Sequence, residues 1–353
     1  MGEYVMVSSQ SGTKRIEYID ALRGFTMFLV VFMHVGHRCF GAIDGSFHSI
    51  MGLVRMPMFF LVSGFVLYKA GVVWNLSHIV TFFKKKIPVQ LISPLIFYVV
   101  YLHVNHIGLV DGIFDGPKHG YWFTFVLFEY FVFYAVVRFF VRNWWGDVIL
   151  VVLGVCFYPF SWPAIKEALP IPNYVFEFVS FQHWHYFIFF VLGVLTKKYF
   201  DTVQHWLDGS WLLPCCILFF FLEIPFFDVL HINGNIIGFP LSVAGLVIMF
   251  SFFRNKQRLF SHETRLGKVF QYVGRRTLDI YLIHYFLIPV NLRELVNVFH
   301  DYSMPIVEGT VSCVIALVII AFSLLISNII RLSPFLAHWV FGAKIVNKSE
   351  SHQ

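Results

Sequence analysis

Tyr18–His34, YIDALRGFTMFLVVFMH, is the stretch that decides the fold class. It is apolar over nearly the ~20 residues that cross a bilayer as a helix, yet it carries Arg23 and His34. At 100° per residue these two side chains return to within roughly 20° of one helix face, about 16 Å apart along the axis. Asp20 and Arg38 lie within about 60° of the same stripe. Ionisable groups inside a span are costly and face a bundle interior or a wet cavity, so the stripe predicts a polar cavity within a membrane protein. Taken singly, Arg23 also fits a snorkelling interfacial anchor and His34 a core histidine bonded to a neighbouring helix. Their shared face favours one cavity over two unrelated placements.

The rest of the chain has the composition such a helix needs. Of 353 residues, 58% are hydrophobic, 20% aromatic and only 13% charged. A soluble domain carries about 25% charged residues to cover its surface. Forty-four phenylalanines and a mean hydropathy of +0.73 call for lipid instead. The net charge of +6 does not point to nucleic acid, because the cations sit in short clusters between apolar runs with no continuous basic stripe. The five cysteines form no C-x-x-C and read as small buried hydrophobes. No metal site is expected, since His183-Trp184-His185 is too thin a pattern.

Apolar runs predict an all-α polytopic bundle of about ten spans, near residues 19–40, 48–70, 87–107, 121–141, 146–164, 178–198, 211–227, 234–253, 278–298 and 306–330. The first reads as a retained signal-anchor. Lys and Arg set the orientation. Lys14, Arg15, Lys84–Lys86, Arg138, Arg142, Lys197, Lys198, Arg254, Lys256, Arg258, Arg265, Lys268, Arg275, Arg276, Lys344 and Lys348 fall on one side. The opposite loops hold few cations, mainly Lys118, Lys166 and Arg293, with acids such as Asp44, Asp111, Asp115, Asp228, Asp301 and Glu308. Both termini are therefore expected in the cytoplasm. The organisation is a tail over 1–17, a membrane domain over 18–341 and a second tail over 342–353, with no further domain expected at either end.

Other spans carry polar residues that lipid should reject. Arg55-Met56-Pro57 opens the second, on the outer side, where a cation needs a carboxylate or a ligand; Ser63-Gly64 further along permits close backbone approach. The fourth carries Trp122 at the interface and Glu129 deeper, a carboxylate placed to counter Arg55 or Arg23. The ninth begins RRTLDIYLIH, where Asp279 pairs locally with Arg276 and Tyr281 shares a face with His284. Lys84–Lys86 and Arg275–Arg276 serve topology first, and secondly offer phosphate contacts to an anionic ligand.

In this order the segments resemble the acyltransferase-3 family of bacterial multi-pass membrane proteins. Arg23 and His34 match its R-x10-H signature, and Arg55–Gly64 its R-x-x-x-F-F-x-x-S-G segment. Trp122-Phe123 with Leu127 is similar to its W-F/Y-L segment, with Thr124 in place of leucine. Phe189–Gly193 followed by Lys197 resembles its F-F-x-x-G segment, and Gly274–His284 its I-Y-x-x-H pattern. Where relatives often carry several arginines before R-L-x-P, this chain has Lys84–Lys86, Gln90 and Pro94.

The resemblance implies transfer of an acyl group, usually acetyl, from acyl-CoA as donor substrate to a hydroxyl of a cell-surface glycan or lipid-linked saccharide, at the bacterial inner membrane. No permanently bound cofactor is implied. His34 is the implied essential residue with Arg23 its partner; Arg55, Glu129 and His284 are further catalytic candidates. Arg23, Lys84, Lys85, Lys86, Arg275, Arg276 and Tyr281 are the candidates for holding the donor. A carrier exporting a glycan or organic anion along the same polar path is the alternative. Partners beyond donor, acceptor and membrane lipid are not legible, nor is the oligomeric state.

Overall fold

Two pairs of glycines set how the bundle closes. A β-carbon on Gly64 would lie 2.0 Å from the Phe190 carbonyl oxygen, and one on Gly193 would lie 1.9 Å from that of Leu61. Likewise, a β-carbon on Gly24 would meet the Phe270 carbonyl oxygen at 2.1 Å, and one on Gly274 that of Asp20 at 1.8 Å. Only glycine lets helix backbones approach this closely in an apolar bundle. The four helices that carry these glycines are thus packed as two tight pairs.

The computed structural model describes residues 16–40, 46–161, 167–168, 170–229, 234–289, 292 and 305–342. Both tails, with Lys14, Arg15, Lys344 and Lys348, lie outside these. Every regular element among the described residues is helical. The principal helices are α1 (Glu17–Phe40), α2 (Ser46–Leu67), α3 (Leu76–Val104), α4 (Trp122–Phe140), α5 (Trp145–Phe157), α6 (Phe187–Lys198), α7 (Leu212–Val229), α8 (Gly234–Asn255), α9 (Arg265–Arg275), α10 (Thr277–Ile283) and α11 (Pro305–Ile330).

α1 is central. It opens with Glu17 and Asp20 and closes with His37 and Arg38, charges that complement its dipole. It packs on α9, α11 and α2, and most of its length is buried. Five helical stretches are long and apolar enough to cross a membrane: α1, α3, α4, Gly238–Asn255 and Ile306–Ile330. A sixth is a pair bent by 47°, Asn173–Val179 with Phe181–Lys198. The molecule is a helical multi-pass membrane protein.

Helical segments fall within the expected spans, but among the described residues only these five, or six with the bent pair, have the length and apolarity to cross a membrane. Three of the expected spans differ in form. The third begins at Leu76, not near 87, so Lys84–Lys86 lie inside a helix instead of in a loop. Pro88 is absorbed by a π-helical turn over Pro88–Ile92, where Ser93 Oγ donates to the Pro88 carbonyl at 2.9 Å. The sixth is broken at Ser180, whose φ of 56° ends one helix before a 3-10 turn over Phe181–Tyr186. The ninth is helical only to Ile283 and continues as a 3-10 turn over His284–Phe286. The remainder of that span, 290–291 and 293–298, lies outside the described residues, as does 162–164 of the fifth.

Asp279 anchors the α10 end of the bundle. It accepts from Arg331 Nε at 2.9 Å and Nη2 at 2.8 Å, from Ser327 Oγ at 2.5 Å, and from Arg276 Nη1 at 3.2 Å. The expected local pair with Arg276 is therefore present, within a larger knot that ties α10 to the end of α11.

Candidate functional site

The α1 stripe faces a cavity of about 710 Å³. Arg23 and His34 both line it, as the helical arithmetic predicts. α2 runs antiparallel alongside, so Arg55 reaches the His34 end and Lys69 the Arg23 end. α3 adds His78, Lys85, Lys86 and Gln90; α4 adds Trp122, Phe123 and Thr124; α10 and the turn after it add Thr277, Tyr281 and Tyr285. Tyr186 and His183 close the wall from the 3-10 turn before α6.

The two ends differ in chemistry. At one, Lys69, Thr81 and Lys85 are exposed and Lys86 lies over the Phe131 ring at 4.7 Å. Arg23 belongs here, held by Thr277 Oγ1 at 3.2 Å and by Asp20 at 3.7 Å. This mouth is basic. At the other end the wall is aromatic: Trp122 stacks on His183 at 3.7 Å and is nearly parallel to Tyr186, 12° apart in plane.

His34 sits at that inner end, where the phenol oxygen of Tyr285 lies 2.9 Å from its Nε2. The same phenol is 3.1 Å from the carbonyl of Gly120, which also accepts from Tyr281 at 3.0 Å. When Tyr285 donates to Gly120, Nε2 carries the proton and donates to the phenol, leaving Nδ1 as the free lone pair. When Tyr285 donates to Nε2, the tautomer reverses. Both arrangements fix the ring, but only the first leaves it a free lone pair, at Nδ1, to act as a base. Gly120 has φ of 107°, and a β-carbon there would lie 2.1 Å from the Tyr285 oxygen, so glycine is required.

The loop that presents Gly120 is built around Lys118. Its Nζ donates to the carbonyls of Ile113, Asp115 and Glu177, each at 3.0 Å. Burial pulls this ammonium below its ordinary pKa, against the opposing pull of Asp115. Arg38 braces the same loop, donating to the His119 carbonyl at 2.9 Å and to Tyr101 at 2.8 Å.

Several candidates fall elsewhere. Glu129 accepts from Trp184 Nε1 at 2.8 Å, and among the described residues no arginine pairs with it. Its expected partnership with Arg55 or Arg23 is not formed, because α4 turns it toward the indole on the far side from the cavity wall. His284 is fully buried beside the site, 5.4 Å from the His34 ring centre, with Nδ1 at 3.0 Å from the Ile280 carbonyl. It does not line the cavity. Lys84 is exposed outside it, Arg275 is likewise exposed, and Arg276 is committed to Asp279 and Ser327.

Sequence reasoning missed Tyr285, Tyr186 and Lys69. Tyr285 had a signal: it stands four residues after Tyr281, one helical turn on the same face. Tyr186 and Lys69 had none, since one follows a helix break and the other resembles any topology-setting cation.

A family model described as an acyltransferase domain, Acyl_transf_3, matches residues 16–327, nearly the whole chain. No curated protein matches, and neither does any solved structure.

Proposed function

The chain belongs to the acyltransferase-3 family, and from that membership we propose that it transfers an acyl group, acetyl in the simplest case, from acyl-CoA to a hydroxyl of a cell-surface glycan or lipid-linked saccharide at the bacterial inner membrane. One observation carries this: a single cavity joins a basic mouth to a chamber holding His34. An acyl-CoA has that polarity, with anionic phosphates at one end and a thioester at the other. Arg23, Lys85, Lys86 and Lys69 hold the phosphates at the mouth, with charge-assisted bonds that are the strong ones for phosphate. The uncharged pantetheine arm then lies along the wall formed by Met27, Val62 and Phe82. The distance from Arg23 to His34, about 16 Å along the helix, suits an extended arm.

At His34 the imidazole acts as general base. The acceptor oxygen bonds to the thioester carbonyl carbon as its proton passes to the ring. The carbon–sulfur bond then breaks, and the departing thiolate takes that proton to leave as free thiol. Tyr285 holds the ring in place throughout.

Lys85→Gln with Lys86→Gln tests the donor end. Binding of acetyl-CoA to the purified protein should weaken, and the loss should shrink as salt rises, because screening shortens the reach of exposed charges. Calorimetric titration at low and high salt measures it. Unchanged binding in folded protein would remove these lysines from the donor site and leave them as packing residues of α3.

A further inference from the structure

Arg55 lies on the cavity wall with Nε and Nη1 buried and without a hydrogen-bond partner among the described residues. The polar side chains of the same chamber include the phenols of Tyr186 and Tyr285 and the His34 ring, and among the described residues no carboxylate lines the cavity. The other cations near this cavity have partners or are exposed: Arg23 has Asp20 and Thr277, Arg38 has Tyr101 and the His119 carbonyl, Lys86 lies over the Phe82 and Phe131 rings, and Lys69 and Lys85 are exposed. A guanidinium stays charged at any physiological pH and has only donors to offer. Leaving one buried without a counter-charge is strongly unfavourable, because it gives up hydration with nothing in return. The missing anion therefore arrives with a ligand.

It is not the donor's phosphate group. Those phosphates suit the basic mouth, roughly 16 Å away along α1. Around Arg55 the surfaces are instead flat and aromatic, with Trp122 and Tyr186 nearly parallel and 5.9 Å apart between ring centres. Aromatic faces accept the C–H face of a sugar ring, and a guanidinium fork accepts a carboxylate through two parallel N–H bonds.

We propose that Arg55 with Trp122 and Tyr186 forms a subsite for an acidic sugar of the acceptor, in which Arg55 binds the sugar carboxylate. The proposal rests on the acyl-transfer function above for its identification of that sugar as the acceptor. Holding the carboxylate on Arg55 brings a hydroxyl of the same unit into the chamber of His34. Selection then comes from the cost of leaving Arg55 unpaired, which a neutral sugar incurs and an acidic one does not.

The test uses glucuronate, glucose and glucose 1-phosphate as probes of the purified full-length protein in detergent, read by thermal melting and by titration. Glucuronate is expected to raise the melting temperature and glucose is not. Arg55→Gln should weaken glucuronate binding at least tenfold, and Arg55→Lys, which keeps the charge but loses the fork, should retain part of it. In acyl transfer to an acidic acceptor, Arg55→Gln should raise KM by more than it lowers kcat. Equal stabilisation by glucose and glucuronate would overturn the proposal. So would stronger Arg55-dependent binding of glucose 1-phosphate, which would assign the site to a phosphate. A loss in kcat with glucuronate binding unaltered would place Arg55 at the thioester oxyanion instead. Should wild-type protein release no thiol from acetyl-CoA, the acyl-transfer function fails by itself, and the binding measurements still decide what Arg55 holds. If Arg55→Gln does not fold, Arg55→Lys gives the same comparison.

Discussion

Replacing His34 with alanine is expected to lower acyl transfer by about 10²–10⁴-fold, the usual cost of removing a general base. The protein should remain folded. His34 contributes one hydrogen bond, to Tyr285, and losing such a bond costs about 1 kcal/mol. Tyr285 keeps the Gly120 carbonyl as a partner in the variant. Stability and activity therefore separate: the melting temperature moves little while turnover collapses. The reverse pattern, a large drop in melting temperature with turnover per folded molecule retained, would make His34 a packing residue. Both quantities come from one preparation, by melting in detergent and by thiol release from acetyl-CoA.

Asp279→Ala is expected to destabilise the protein by about 3–5 kcal/mol, the range for breaking a buried ion pair from one side. Asp279 is buried and faces Arg331, Arg276 and Ser327. Alanine leaves two guanidinium groups without a counter-charge in apolar surroundings. Arg331→Met alone should also destabilise. Combined with Asp279→Ala it should cost less than the two separate losses added together, because the double variant leaves one fewer stranded cation. Strict additivity in thermal or denaturant melting would mean that the knot carries no coupling energy. α10 also carries Tyr281 and leads to Tyr285, so the same variant should loosen the brace on His34.

The polar face of α1 was legible because a helix of uninterrupted apolar residues obeys its own period. Arg23 and His34 sit where the arithmetic puts them, with Asp20 beside Arg23 and Arg38 beyond His34 in the loop brace. Asp279 with Arg276 was legible for the same reason, as an i,i+3 pair; its tie to Arg331 was not, since no local rule links residues 52 positions apart. Gly64 could be recognised as a close-approach site, but its pairing with Gly193, and that of Gly24 with Gly274, is a tertiary fact.

Errors cluster where the backbone leaves the regular helix. Lys84–Lys86 read as loop cations at the edge of a span starting near 87, whereas a π turn over Pro88–Ile92 lets α3 run continuously from Leu76 and brings Lys86 over Phe131. The break after Ile283 separates the surroundings of His284 and Tyr285, so the histidine named by the motif is enclosed while its neighbour reaches His34. Glu129 illustrates a different limit. A carboxylate in a span does need a partner, but an indole N–H served where an arginine was expected.

The measurement that bears most directly on acyl transfer through this cavity uses reconstituted protein in vesicles, acetyl-CoA labelled in the acetyl carbonyl, and surface glycan from cells lacking the protein. Free thiol and ester-bound label are counted together. Equal amounts of the two, appearing at the same rate and lost in His34→Ala, are expected. Glycan crossing the vesicle membrane with no label attached and no thiol released would contradict it, and would make the chain a carrier.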